Sequence, residues 1–254
     1  MTAPLTASPL STTQRSFLHA ETTVLHELYD ASDGLQHLAL HAGASLEGAT
    51  PQEVLRWAFD RFGQRFVVAT SMGDGVLSHL AASVHPGVRV LFLDTGYHFA
   101  ETLGTADAVE STVPIELLRV RPHLSVEEQD AAFGKDLFAR DPDLCCAMRK
   151  VAPLAKALTP YVAWASGIRR DESSDRAKVG VVEWDDRHQM VKVNPMASWT
   201  ADDVERYIAD NEILVNPLHA EGYGSIGCAP CTRPGAGRDG RWLGMAKVEC
   251  GLHG

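Results

Sequence analysis

The sequence predicts an α/β fold: a mostly parallel, doubly wound sheet with helices on both faces. Three observations predict it. Strand-length apolar runs alternate with helical periods along most of the chain. Phe66 to Ala69 and Val88 to Leu93 carry little of the polar alternation of a half-exposed strand, as expected of strands covered on both faces. The 254 residues are 45% hydrophobic and 22% charged, enough apolar material for a full core, and contain no run of about 18 apolar residues.

The elements follow in order. The opening Met1-Thr2-Ala3-Pro4 and the Thr, Ser and Pro that follow predict a loose leader over 1–16, with no basic start or apolar run of a secretory signal. Phe17 to Tyr29 and Leu35 to His41 have helical spacing. His37 and His41 share a face there, which reads as a solvated surface. Thr50-Pro51-Gln52-Glu53 is a capping box with proline at the first helical position, and Val54, Leu55, Ala58, Phe59 and Phe62 form the apolar face that follows.

Phe66 to Ala69 is then a strand, Ser71 to Gly75 a tight loop and Val76 to Val84 a helix. Val88 to Leu93 is a second strand ending at Asp94-Thr95-Gly96. A helix over His98 to Glu110 and a strand over Ile115 to Val120 come next. Ser125 and Glu128 open another helix. Leu144 to Leu158 is helical, with a disturbance expected at Pro153. Tyr161 to Ala165 is a fourth strand ending at Ser166-Gly167. Val179 to Trp184 and Met190 to Val193 are two more, joined at Asp185-Asp186. Thr200 caps a helix reaching Asn211, with Asp203 at its third position. The remaining residues are rich in Gly, Cys and Arg and lack periodicity. No repeat or linker divides the chain, so 17–254 reads as a single domain with a mobile segment over about 232–254.

In such a sheet the ligand sits beyond the carboxyl ends of the strands. Those ends are Ser71 to Gly75, Asp94 to Gly96 and Ser166-Gly167. Ser71-Met72-Gly73-Asp74-Gly75 joins a strand to a helix, where backbone amides face an anion, yet it matches neither the Walker loop nor the dinucleotide fingerprint. Asp74 would repel a phosphate.

Lys and Arg number 23 against 33 Asp and Glu, a net charge of −10, which excludes a broadly basic nucleic-acid surface. The five cysteines cannot all pair within one chain. Cys228-Ala229-Pro230-Cys231 alone fits a redox dithiol, half a zinc site or half an iron–sulfur site. The adjacent Cys145-Cys146 discriminates better. Neighbours on a helix point about 100° apart, awkward for one zinc ion but suited to separate corners of a four-iron cluster; zinc and unligated thiols remain the alternatives. Cys250 sits on a glycine-containing tail that could carry a thiol into a pocket and out again. Basic residues flank the cysteines: Arg149 and Lys150, then Arg169, Arg170 and Arg176, then Arg233, Arg238 and Arg241. Together they suggest an anion held beside the thiols.

Taken together, Cys145-Cys146 with Arg149-Lys150, Leu93-Asp94-Thr95-Gly96, Ser225 through Pro234 around the second cysteine pair, and Glu249-Cys250-Gly251-Leu252-His253 resemble the cluster-containing adenylyl-sulfate (APS) reductases of assimilatory sulfate reduction. The signatures run from about residue 66 to the end of the sequence. The resemblance implies an adenine nucleotide α-hydrolase-like fold. It implies one [4Fe-4S] cluster on Cys145, Cys146, Cys228 and Cys231, and Cys250 as the nucleophile that takes sulfonate from APS, expelling AMP. Thioredoxin or a similar thiol would then release sulfite, the step feeding cysteine biosynthesis in the cytoplasm. By matching position, Lys150, Arg176, Arg238, Arg241 and His253 would engage the phosphosulfate. Ser71, Met72 and Gly73, the turn Leu93, Asp94, Thr95 and Gly96, and Gly167, Ile168 and Arg169 would hold the adenosine. The Ser-Met-Gly loop departs from the family's commoner Ser-Phe-Gly.

The nearest alternative is a reductase of 3′-phosphoadenylyl sulfate (PAPS), which typically lacks the cluster cysteines. An ATP-using thiolation enzyme would need a Ser-Gly-Gly-x-Asp-Ser loop, absent here. A non-enzymatic iron–sulfur or zinc sensor would have no use for a mobile terminal thiol. Neither nucleic acid nor membrane is expected as a partner, and a homo-oligomer is compatible with the sequence.

Overall fold

The computed structural model describes residues 32–245, 247 and 249–252. The leader, the helix expected over Phe17 to Tyr29, and His253 lie outside the described residues. Helix α1 runs through 32–45 and α2 through Pro51–Phe62, the latter started by the expected capping box: Thr50 accepts from the Glu53 amide and Glu53 from the Thr50 amide.

Six strands make one sheet among the described residues: β1 (Phe66–Thr70), β2 (Val88–Leu93), β3 (Ile115–Val120), β4 (Ala163–Ala165), β5 (Val182–Asp185) and β6 (Met190–Val193). Their order is β3-β2-β1-β4-β6-β5. Every neighbouring pair is parallel except β5 with β6, which forms an antiparallel edge hairpin. Helices α3 (Val76–Val84) and α4 (Ala100–Thr112) are the crossovers from β1 to β2 and from β2 to β3.

Strand residues alternate strictly between two cores, as a period of two requires. Phe66, Val68, Val90, Phe92, Ala163, Ala165, Val191 and Val193 face the larger core, shared with α1, α2, α3, α4 and α9 (Ala201–Asn211). Val67, Leu91, Trp164 and Met190 face the other side, against Leu154 and Leu158 of α8 (Ala152–Leu158). Both faces are therefore covered, which explains the near-continuous apolar strands.

Between β3 and β4 the chain folds into short helices: α5 (Val126–Phe133), capped by Ser125 with Glu128, then α6 (Leu137–Arg140) and α7 (Pro142–Cys146). The expected disturbance in the long helix falls upstream of Pro153. Ala147–Val151 forms a π turn, and the Ala152 amide reaches back to the Ala147 carbonyl. Proline has no N–H and crowds the carbonyl four residues before it, so the chain widens ahead of it and α8 starts afresh. Helix α4 begins at Ala100, not His98, because the His98 ring turns back to hold the Leu93 carbonyl at 2.7 Å. Strand β4 is shorter than expected: the Tyr161 amide still closes onto the Leu158 carbonyl. Among the described residues no helix is long and apolar enough to cross a membrane.

Candidate active site

The sheet order reverses beside β1, whose neighbours β2 and β4 follow different crossovers, and a crevice opens at the carboxyl ends there. A cavity of about 830 Å³ occupies it. Ser71, Gly73 and Asp74 after β1, Leu93 at the end of β2, and Gly167, Ile168 and Arg169 after β4 line it. Lys150, Arg176, Arg238, Arg241 and Cys250 line it as well. The strand-end group sets glycines and the apolar Leu93 and Ile168 beside one carboxylate, Asp74, and one cation, Arg169. The second group combines four cations with a thiol.

Asp74 is turned toward structure. Its Oδ1 accepts the Val76 amide at 2.9 Å, and its backbone bridges Val215. Burial raises its pKa from the ordinary carboxylate value.

Arg176, on a 3₁₀ turn after β4, is buried. Its Nε and Nη2 each lie 2.9 Å from the carboxylate of Glu249, and its Nη1 lies 2.5 Å from Glu172. The Arg238 Nη2 reaches the same Glu249 at 3.0 Å. Burial first, and the neighbouring Arg176 next, lower the Arg238 pKa. Arg241 bonds Ser225 Oγ at 3.2 Å and stacks 4.4 Å above the Trp242 ring. Gly227 makes room for it, since a Cβ there would collide with the guanidinium. The Arg233-to-Arg241 stretch, irregular by sequence, folds back on the second cysteine pair: Arg233 N donates to Gly240 O at 2.8 Å and Trp242 N to Cys231 O at 2.9 Å.

Behind this wall the four paired cysteines share a recess. Cys145 and Cys146 end α7, while Cys228 and Cys231 flank a 3₁₀ turn at Ala229–Cys231. All four line one small cavity with Tyr97, Phe138, Pro142 and Pro230, and none forms a disulfide. Burial, then the neighbouring cysteines, push Cys145 up to about 12; burial pushes Cys146 up to about 11 against the pull of Lys150 and Lys247. Among the described residues no three His, Cys, Asp or Glu side chains converge closely enough to hold a single metal ion.

The Asp94-Thr95-Gly96 turn serves this recess. Thr95 Oγ1 lies 3.3 Å from Cys228 Sγ, and the Tyr97 carbonyl accepts the Ala229 amide at 2.7 Å. Arg149, buried, donates from Nε to the Thr95 carbonyl at 2.5 Å and from Nη1 to Gln129 Oε1 at 2.9 Å. Gly96, with φ of +74°, leaves space for that guanidinium. Asp94 pairs with Arg121. Asp94, Thr95 and Gly96 are therefore not among the residues lining the large cavity. Nor is Met72, whose side chain is fully buried in the core from a left-handed backbone, φ +57°.

Lys150 lines both cavities and is buried. Burial opposes its charge, but Cys228, Cys250 and Cys146 nearby outweigh burial and hold its pKa above the usual lysine range. Cys250 is carried by a tail pinned at three points: Glu249 on the arginines, the Gly251 carbonyl on Arg187, and Leu252 against the Trp164 core. The roles of Glu249 and Gln129 escape sequence reasoning because their partners, Arg176 and Arg149, are distant in the chain. Only the adjacency of Glu249 to Cys250 signals its place.

A phosphoadenosine phosphosulfate reductase domain matches residues 65–234. The chain is 54% identical over 242 residues to a protein named adenosine 5′-phosphosulfate reductase from Rhodococcus opacus, covering 89% of this chain and 98% of that one. It is 52% identical to the protein of the same name from Streptomyces coelicolor, covering 88% and 96%. Among solved structures, a phosphoadenylyl-sulfate reductase from Candida auris in a phosphate complex superposes with a TM-score of 0.68 at 27% identity, over 78% of this chain and 97% of that one. An FMN adenylyltransferase from Candida glabrata shares the fold, with a TM-score of 0.55 at 13% identity over 81% and 73%.

Proposed function

The chain belongs to the adenosine 5′-phosphosulfate reductases, and on that premise we propose that it reduces adenylyl sulfate to sulfite and AMP through a sulfonate carried on Cys250. The observation that carries this reading is that Cys250 opens into the same cavity as Lys150, Arg176, Arg238 and Arg241. The uncharged Gly73, Leu93 and Ile168 suit the adenosine, and the four cations suit the phosphosulfate.

In the first step the Cys250 sulfur attacks the sulfonyl sulfur. The new S–S bond forms as the bond from that sulfur to the bridging oxygen breaks, and AMP leaves with the electron pair. The cations offset the charge gathering on the leaving phosphate. In the second step a thiol of a thioredoxin-type dithiol attacks Cys250 Sγ and expels sulfite with two electrons. Its second thiol then closes the donor's disulfide and frees Cys250. The glycine after Cys250, with φ of +77°, gives the tail a hinge for presenting the adduct.

An iron–sulfur cluster suits the recess behind Lys150. The donor set is all sulfur, and Tyr97, Phe138, Pro142 and Pro230 make much of the remaining wall apolar. Cys145, Cys146, Cys228 and Cys231 would hold a [4Fe-4S] group. Bound there, the cluster would supply a fixed anchor and a local charge that tunes the field at Lys150. Free thiols and such a cluster fit a reducing compartment such as the cytoplasm.

The reaction is tested by incubating anaerobic protein with APS, and separately with PAPS, in the absence of thiols. Peptide mass spectra should show a sulfonate on Cys250 from APS. An adduct from PAPS alone would move the substrate assignment, and none from either would remove the mechanism. A second expectation concerns Gly227→Ala. Its methyl group displaces Arg241, so kcat/KM for APS should fall on the order of 10²-fold while iron content holds. Unchanged kinetics would remove Arg241 from the site.

A further inference from the structure

Glu249 pairs with two of the arginines that line the cavity. Its carboxylate takes the Arg176 fork at 2.9 Å on both sides and the Arg238 guanidinium at 3.0 Å. A fork-on-carboxylate arrangement matches the way guanidinium receives sulfate or phosphate oxygens. Both arginines line the cavity with Cys250. Glu172, the other carboxylate on Arg176, also pairs with Arg169 and is fixed on a 3₁₀ turn after β4. Glu249 belongs instead to the tail.

We propose that Glu249 is an internal anion that fills the phosphosulfate seat between Arg176 and Arg238 and is displaced by the substrate. This rests on the reading that the cavity takes APS. Without an anion the two guanidiniums would repel each other, and burial would sharpen the repulsion. Glu249 keeps them converged while the seat awaits substrate. The same contact holds the tail down, with the thiol-bearing residue next in sequence already facing the cavity. Substrate entry exchanges one anion for another, so the arginines are never left uncompensated. The exchange also unfastens the tail beside the reacting thiol, leaving the Arg187 and Leu252 contacts to hold it. Glu249 is thus a positioning residue that competes with the ligand it prepares for.

The test uses cluster-loaded Cys250→Ser protein, which cannot react, with and without Glu249→Gln. Binding of APS and of adenosine is measured by calorimetry. Removing the internal competitor should tighten APS binding about 10-fold, a tethered anion acting at millimolar effective concentration or above, and leave adenosine binding unchanged. The adenosine arm also reports that the variant is folded. Equal or weaker APS binding in the Gln variant overturns the inference and leaves the substrate reading intact. Equal tightening of adenosine also overturns it, since it would mark a general loosening of the tail. If neither protein binds APS or adenosine, the substrate reading falls and the inference with it.

Discussion

Cys250→Ser should abolish sulfite release, with a loss on the order of 10⁴-fold or more, while APS binding and iron content stay near those of the unaltered protein. The expectation is asymmetric because the structure separates the two kinds of cysteine. Cys250 lines the large cavity, and the other four line the recess. Its backbone is placed by Glu249, Gly251 and Leu252, none of which depends on the thiol. A hydroxyl therefore fits without rearrangement but is a far poorer nucleophile at neutral pH and cannot pass on a sulfonate by thiol exchange. Sulfite assay, calorimetry and iron analysis on one preparation check the three parts. Lost iron would show that Cys250 belongs to the recess, and retained turnover would place the nucleophile elsewhere.

Lys150→Ala should lower kcat/KM for APS by about 10²- to 10³-fold, the range found when one preorganised charge is removed from a transition state. Lys150 is buried and meets both cavities, so water cannot readily replace it. Burial works against its ammonium, but Cys228 in the recess and Cys250 in the large cavity, both nearby, raise its pKa above the ordinary lysine value. Adenosine binding should barely change, because Gly73, Leu93 and Ile168, the lining residues that suit it, do not include Lys150. Lys150→Arg is expected to fall between the two: the charge is kept, but a planar guanidinium presents its donors in a different geometry from an ammonium. If Ala and Arg variants matched the unaltered enzyme, the charge would have no part in the chemistry.

Much of this was legible in the sequence, for local reasons. The capping boxes at Thr50, Ser125 and Thr200 depend on residues three apart, and each forms as expected. The parallel strands were visible because burial on both faces removes polar residues from them. The resemblance grouped Cys145, Cys146, Cys228 and Cys231, and all four line one small cavity. The less legible features depend on direction or distance. Met72 sits in a loop that the resemblance assigns to the adenosine, yet from a backbone of positive φ its side chain is buried in the core. Thr95 belongs to a strand-end turn, the usual ligand position, but its hydroxyl and carbonyl are engaged by Cys228 and Arg149. The Glu249 pairing spans 73 residues to Arg176, and no local pattern encodes it.

The π turn at Ala147–Val151 has a consequence for how one helical stretch serves two masters. Upstream, Cys145 and Cys146 must look into the recess. Downstream, Leu154 and Leu158 must look at the sheet. An uninterrupted α-helix advances about 100° per residue and would lock these two demands to a single phase. The wider turn works as a phase shifter: it admits an extra residue, rotates one half against the other, and places Lys150 at the seam. Shortening the turn by one residue would turn the halves by roughly 100° and force a choice between recess-facing thiols and a sealed core. Function here is written in angular bookkeeping as much as in side-chain chemistry.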